Sequence, residues 1–209
     1  MYKLILASQS PRRKELLKMI ESEFEIKVSN CEEIITSSEP KQVTMELAEQ
    51  KAMAVATELN RQKKNDKQIE TTVKDEDSFI VIGADTVVAS GTEIFGKPKD
   101  KDDARRMINK ISGASHQVYT GVAIVFVKGG KVERIDVFSE KTDVEVVHMS
   151  SQEIDEYISS TEPYDKAGGY GIQGTFGKYV TGIKGDYNNV VGLPVCRLYN
   201  ELKKCTKNI

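Results

Sequence analysis

The chain has 209 residues, of which 39% are hydrophobic and 30% charged, an ordinary balance for a globular protein with one sizeable core or two lobes sharing a cleft. Its net charge of −2 excludes a general attraction to nucleic acid or to an anionic membrane, so any anion site has to be local. Three cysteines, Cys31, Cys196 and Cys205, lack metal-ligand spacing; with neither a signal-peptide pattern nor a membrane-length segment, the expectation is a reducing, cytoplasmic setting.

The apolar run at residues 4–7 reads as a buried strand that breaks at a small polar turn. Ser10 suits the N-cap and Pro11 the first position of a following helix with Leu16, Leu17 and Ile20 on its apolar stripe. Ser8, Ser10, Arg12 and Arg13 then have two readings: a capped helix with solvated arginines, or an anion site combining free N–H groups, the helix dipole and guanidinium forks. Residues 24–28 alternate as a half-buried strand and lead into Glu32 and Glu33, which are either solvated loop acids or include an oxygen ligand for a divalent metal. A helix follows over 44–60, with Met45, Ala48, Ala52, Val55, Ala56 and Leu59 on one face; Lys51 flanks that stripe, and by itself reads as facing water rather than a cleft. Residues 61–78 are nearly all polar, with alternating charge signs, and read as an exposed, mobile insertion without a catalytic role.

Residues 79–82 form a continuous apolar run, the mark of a strand covered on both faces, and run into Gly83-Ala84-Asp85-Thr86. An Asp ending a buried strand is costly unless its charge is compensated, which makes Asp85 a candidate functional acid; the alternative is an Asp that caps a turn. A hairpin strand at 92–95 returns to Gly96-Lys97-Pro98, and a helix over 100–111 follows, with Asp100 and Asp103 in its first turn. His116 opens a strand over 116–127 and reads as a satisfied structural residue. That strand and 132–147 form a long hairpin, and Ser150 with Glu153 marks a capping box. The segment 162–174, with four glycines at close spacing, either admits a ligand beside Tyr170 and Gln173 or is a plain irregular loop; no dinucleotide or P-loop spacing occurs in it. A strand at 179–183, a turn at 185–189 and a helix over 193–203 complete the chain. Arg12, Arg13, Lys51 and Lys97 as cations, with Glu33 and Asp85 as acids for a hard metal ion, together suit a polyphosphate.

Ser8-Gln9-Ser10-Pro11-Arg12-Arg13, Gly83-Ala84-Asp85-Thr86-Val87, Gly96-Lys97-Pro98, Ser112-Gly113 with His116, Asp165-Lys166-Ala167-Gly168 and Tyr170-Gly171-Ile172-Gln173-Gly174 resemble the Maf family of nucleotide pyrophosphatases. The similarity runs in order over 4–202 and fails mainly across the polar insertion. It implies one domain over 1–209 with an α/β fold: a mixed twisted sheet with flanking helices, and two lobes around a central cleft as in inosine triphosphate pyrophosphatases. It also implies hydrolysis of a nucleoside triphosphate to the monophosphate and pyrophosphate. Asp85-Thr86 and the run 170–174 resemble the branch acting on dTTP and UTP. By the same resemblance Ser10, Arg12, Arg13, Lys51 and Lys97 match phosphate-binding positions, Asp85 the catalytic acid, and Thr86 and Gln173 base-selective positions. Glu33 matches a metal-binding acid that acts with Asp85 on Mg²⁺ or Mn²⁺, and Glu32 is its rival. The implied partner is a small nucleotide, with a homodimer as the family expectation, and His116, Asp165 and Lys166 either touch substrate or brace the site. The implied task is house-cleaning of pyrimidine nucleotides; the alternative reading is a nucleotide-sensing protein that inhibits septum formation.

Overall fold

The computed structural model describes residues 2–28, 31–67 and 78–206. Among them the order is β1 (Lys3–Leu6), α1 (Pro11–Leu17), β2 (Glu25–Ile26), α2 (Pro40–Lys67), β3 (Phe79–Ser90), β4 (Glu93–Phe95), α3 (Lys101–Ile111), β5 (Ser115–Lys128), β6 (Lys131–Val146), α4 (Ser151–Ile158), short 3-10 turns between 162 and 179, β7 (Val180–Lys184), α5 (Tyr187–Val191) and α6 (Val195–Thr206). The strands hydrogen-bond in the order β2-β1-β3-β5-β6-β7, with β4 on β3. β1 pairs in parallel with β2 and β3, whereas the β3–β4 and β6–β7 pairs are antiparallel. This is the mixed α/β class expected from the sequence. No helix among the described residues is long and apolar enough to cross a membrane.

Two compact units divide the chain: Met1–Asp85, Gly121–Ser139 and Val195–Ile209 make the first, Thr86–Thr120 and Glu140–Pro194 the second. In the first, Ile5, Ala7, Phe79 and Val81 form a core with Ala123, Val125 and Val127 and with Ala48, Ala52, Val55 and Ala56 of α2. Two glycines set how closely α2 lies on the strands. A Cβ at Gly83 would fall inside van der Waals contact of the Ala48 carbonyl and of Ala52, and one at Gly121 inside contact of the Thr44 carbonyl. Thr44 and Ala48 are one helical turn apart, so successive carbonyls of α2 rest on bare backbone of the sheet.

In the second unit, α3 and α4 present Ala104, Met107, Ile108, Ile111, Ile154 and Ile158 to Val88, Phe95, Val118 and Val144. Both helices start as their sequences dictate. Asp100 accepts from Asp103 N at 2.8 Å, and Ser150 with Glu153 forms the expected capping box.

Several expectations change. Asp85 does not end a strand, because β3 continues to Ser90. α2 is longer than 44–60 at both ends: Pro40 starts it, and 61–67, read as insertion, continue it, since Arg, Gln and Lys favour helix and no breaker intervenes. The rest of that insertion, 68–77, lies outside the described residues. β2 is confined to Glu25–Ile26, and the turn expected at 185–189 is the start of α5, capped by Asp186.

Gly121→Ala should overpack the contact with α2 and cost roughly 1–3 kcal/mol. The expected outcome is a melting temperature lower by several degrees. Gly96→Ala is the control: it meets open space at an ordinary φ and should melt close to wild type.

Candidate active site

The polar turn before α1 folds onto its own serines. Ser10 is the N-cap and accepts from Arg13 N at 3.4 Å, while Ser8 Oγ accepts from Ser10 N at 3.2 Å and from Arg13 Nη1 at 3.4 Å. Arg12 and Arg13 are half-buried by area and both have further partners. The Arg13 guanidinium is nonetheless enclosed: burial lowers its pKa, and Asp85 is the largest influence opposing that shift.

Lys51 does not face water. Its Nζ lies 2.5 Å from Asp85 Oδ1 and 3.0 Å from Glu33 Oε1. The side chains of Lys51 and Asp85 are 18% and 14% exposed and that of Glu33 48%, so the innermost pair is largely screened from solvent. Alternation along β3 puts Gly83 and Asp85 on one face, so the glycine that admits α2 also sets the reach from Lys51 to Asp85. Glu33 arrives from the segment after β2, which side chains of α2 hold. Gln50 Oε1 accepts from Ile34 N at 2.9 Å and its Nε2 donates to Ile34 O at 2.6 Å; Glu46 accepts from Thr36 N at 3.1 Å and from Thr36 Oγ1 at 2.8 Å. Of the two adjacent acids, both exposed, Glu33 is the one joined to Lys51. No group of three potential ligands occurs among the described residues. Two carboxylates meeting one cationic nitrogen still fit Mg²⁺ or Mn²⁺ chemically, because such an ion uses one or two carboxylates and completes its shell with water and phosphate oxygens.

The other expected site residues belong to the second unit. Thr86, half-buried, points to the opposite strand face from Asp85, with its Oγ1 2.9 Å from Thr120 Oγ1. Thr120 donates to Asn189 O at 2.9 Å, so its single proton is committed and Thr86 is the donor between the two hydroxyls. Lys97 is exposed just after β4, and Gln173 is exposed in the glycine-rich turn. That turn is organised by Glu162, which accepts from Thr175 N at 2.9 Å, from Thr175 Oγ1 at 2.8 Å and from the Tyr157 hydroxyl at 3.2 Å. Lys166 donates to Glu162 O at 2.7 Å and to Asp165 Oδ1 at 2.5 Å, a bracing arrangement. Gly168, at φ +70°, packs where a Cβ would overlap Val88. His116 is fully buried, with Nε2 2.6 Å from the Tyr170 hydroxyl, so only one of its ring nitrogens is satisfied, where the sequence reading expected a satisfied residue.

Sequence reasoning missed Gln50, Glu46, Glu162 and the Thr120–Asn189 pair. The only signal was the i, i+4 spacing of Glu46 and Gln50 beside Lys51 on one helix.

The model of the family described as Maf-like protein matches residues 3–205. The chain belongs to the Maf family. Among Maf relatives, a protein of Agathobacter rectalis named dTTP/UTP pyrophosphatase is 53% identical over 205 residues, covering 98% of each chain. Proteins of the same name from Lachnoclostridium phytofermentans and Bacillus cereus are 44% and 45% identical, each over 98% of this chain and over 95% and 96% of their own lengths. Among solved structures, the Staphylococcus aureus Ham1 protein aligns with 69% of this chain and 71% of its own at 14% identity and a TM-score of 0.41.

Desolvation lowers the His116 pKa from 6.5 to about 4. Its Nδ1 is buried without a hydrogen-bond partner among the described residues, so a proton there would gain nothing in return. The folded state thus holds His116 neutral, while the unfolded chain takes up a proton below about 6.5. This contribution to stability is complete above pH 6.5, declines as pH falls towards 4 and is constant below, reaching roughly 3 kcal/mol in all. Denaturant titrations at pH 7 and 4.5 should show a smaller loss of stability on acidification for His116→Gln than for wild type.

Proposed function

We propose that this Maf protein hydrolyses nucleoside triphosphates, dTTP and UTP foremost, to the monophosphate and pyrophosphate. Its relatives carry the name of that activity over nearly their whole length. The observation that carries the reading is the placement of Lys51 against both Asp85 and Glu33, with the Arg13 guanidinium enclosed nearby.

Asp85 and Glu33 would hold a divalent metal, which when bound supplies Lewis-acid polarisation of phosphate and a more acidic water. Asp85 takes a proton from the water whose oxygen attacks the α-phosphorus. The bond from that phosphorus to the bridging oxygen breaks, and its electron pair leaves with pyrophosphate. Ser10, Arg12, Arg13, Lys51 and Lys97 bind the phosphates and offset the charge that develops on the leaving group. Thr86 and Gln173 set base preference. A cytoplasmic house-cleaning role, with canonical dTTP and UTP standing in for modified pyrimidine nucleotides, completes the proposal.

The test is phosphate release coupled to a pyrophosphatase, across the common nucleoside triphosphates with and without Mg²⁺ or Mn²⁺. Pyrimidine triphosphates bearing thymine or uracil should rank first, and no hydrolysis of any of them would overturn the proposal. Asp85→Asn should lower turnover by about 10²–10⁴-fold while the protein stays folded by circular dichroism. Gln173→Ala should alter the ranking of bases more than the rate; an unchanged preference for dTTP and UTP over purine nucleotides would remove Gln173 from that role.

A further inference from the structure

We propose that Gln50 is a positioning residue: its side-chain amide sets the segment after β2 in the register that presents Glu33, and not Glu32, to Lys51 and Asp85. The inference rests on the reading of Glu33 as a metal-binding acid.

The segment gains little from burial. All five residues from 32 to 36 are exposed, and its two large apolar side chains, Ile34 and Ile35, are 60% and 57% exposed. Burial therefore contributes little to its position, and the hydrogen bonds from α2 act beside the Lys51–Glu33 ion pair to hold it. Gln50 spends both ends of its amide on one residue, accepting from Ile34 N at 2.9 Å and donating to Ile34 O at 2.6 Å. A backbone N–H and C=O engaged together specify which residue lies against the helix as well as how near it lies. Glu46, one turn earlier, holds Thr36 by its N–H and hydroxyl and so fixes the direction in which the segment leaves.

Register matters because the two acids are adjacent. Adjacent side chains leave the backbone in different directions. A slip by one residue would replace Glu33 with Glu32 at Lys51 and turn the former away. Gln50 and Lys51 are also consecutive on α2, so their side chains leave the helix about 100° apart. One grips the segment's backbone while the other meets the carboxylate that this grip delivers. A single rigid helix thus sets both the cation and the acid beside Asp85.

The test is Mn²⁺ binding by electron paramagnetic resonance in the presence of a non-hydrolysable α,β-imido analogue of UTP, which requires no turnover. Gln50→Ala should weaken Mn²⁺ binding about tenfold, with a melting temperature near wild type, and in the coupled assay its lost rate should return at high Mn²⁺. Glu33→Gln should weaken binding at least as much. The double variant should be no worse than Glu33→Gln, because two changes acting through one carboxylate do not add. If Gln50→Ala fails to fold, Gln50→Glu keeps the acceptor for Ile34 N and loses the donor to Ile34 O, and an intermediate weakening is expected. Unchanged Mn²⁺ binding in the Gln50 variants beside a weakened Glu33→Gln overturns the inference alone, as do additive losses in the double variant. Wild-type binding by Glu33→Gln overturns the reading of Glu33 and the inference with it. Wild-type protein that binds Mn²⁺ and the analogue but hydrolyses nothing overturns the proposed activity and leaves the role of Gln50 to be decided by the binding data.

Discussion

The arrangement of the first unit depends on how near α2 can come to the strands beneath it. At Gly83 and Gly121 there is no side chain between helix carbonyls and sheet backbone, and Ala48 and Ala52 are fully buried in that contact. Such an approach is available only to glycine on the strand and small residues on the helix. Its consequence is felt two residues further along β3. Lys51 reaches Asp85 at 2.5 Å from the same helix, and an ångström-scale retreat of α2 would remove that contact. A packing constraint made of the smallest side chains therefore bears on the distance between Lys51 and Asp85.

Those charges explain why an acid is tolerated in this strand. An isolated carboxylate among Val81, Ile82 and Ala84, all fully buried, would carry a large desolvation cost. Lys51 and the enclosed Arg13 supply two positive charges against those of Asp85 and Glu33, so the local set is close to neutral. Neutrality has a functional side. A triphosphate brings several further negative charges, and a balanced set has no surplus to meet them. The proposed mechanism meets those charges with further cations, Arg12 and a divalent metal.

Features written in adjacent residues were legible from the sequence. Ser10 before Pro11 and the Ser150–Glu153 pair cap the helices they were expected to cap, and Asp100, expected in the first turn of α3, is its cap, because a helix start is decided within one turn of chain. The apolar runs of β1, β3 and β5 were legible for the same reason, as was the burial of His116. The direction of Lys51 was not: it depends on the distance between α2 and β3, which is set by Gly83 and Gly121 from separate parts of the chain. The grip of Gln50 on Ile34 joins residues 16 apart and has no local signature. Asp85 was misplaced at a strand end because a charged residue normally stops an apolar run, whereas here Lys51 of α2 and Arg13 offset its charge as β3 continues through it.

β3 also shows how register becomes chemistry. Its parallel pairing with β1 matches Leu6 with Ile82, and Ala7 N donates to Ile82 O at 2.8 Å just beyond. From that fixed point alternation assigns faces: Gly83 and Asp85 turn to α2, Ala84 and Thr86 away from it. Asp85 is the last residue of the first unit's opening stretch and Thr86 the first residue of the second unit. One meets Lys51, whereas the other is hydrogen-bonded to a hydroxyl that itself donates to Asn189 O. A slip of a single residue would bring Thr86 to Lys51, leaving the lysine without its closest counter-charge and moving Asp85 to the place of Ala84, on the face turned away from it. The same slip would put Ala84 in the place of Gly83 and push α2 outward. The apolar pairing of β1 with β3 therefore selects the residue that carries the charge, and it does so through contacts that touch none of the proposed chemistry.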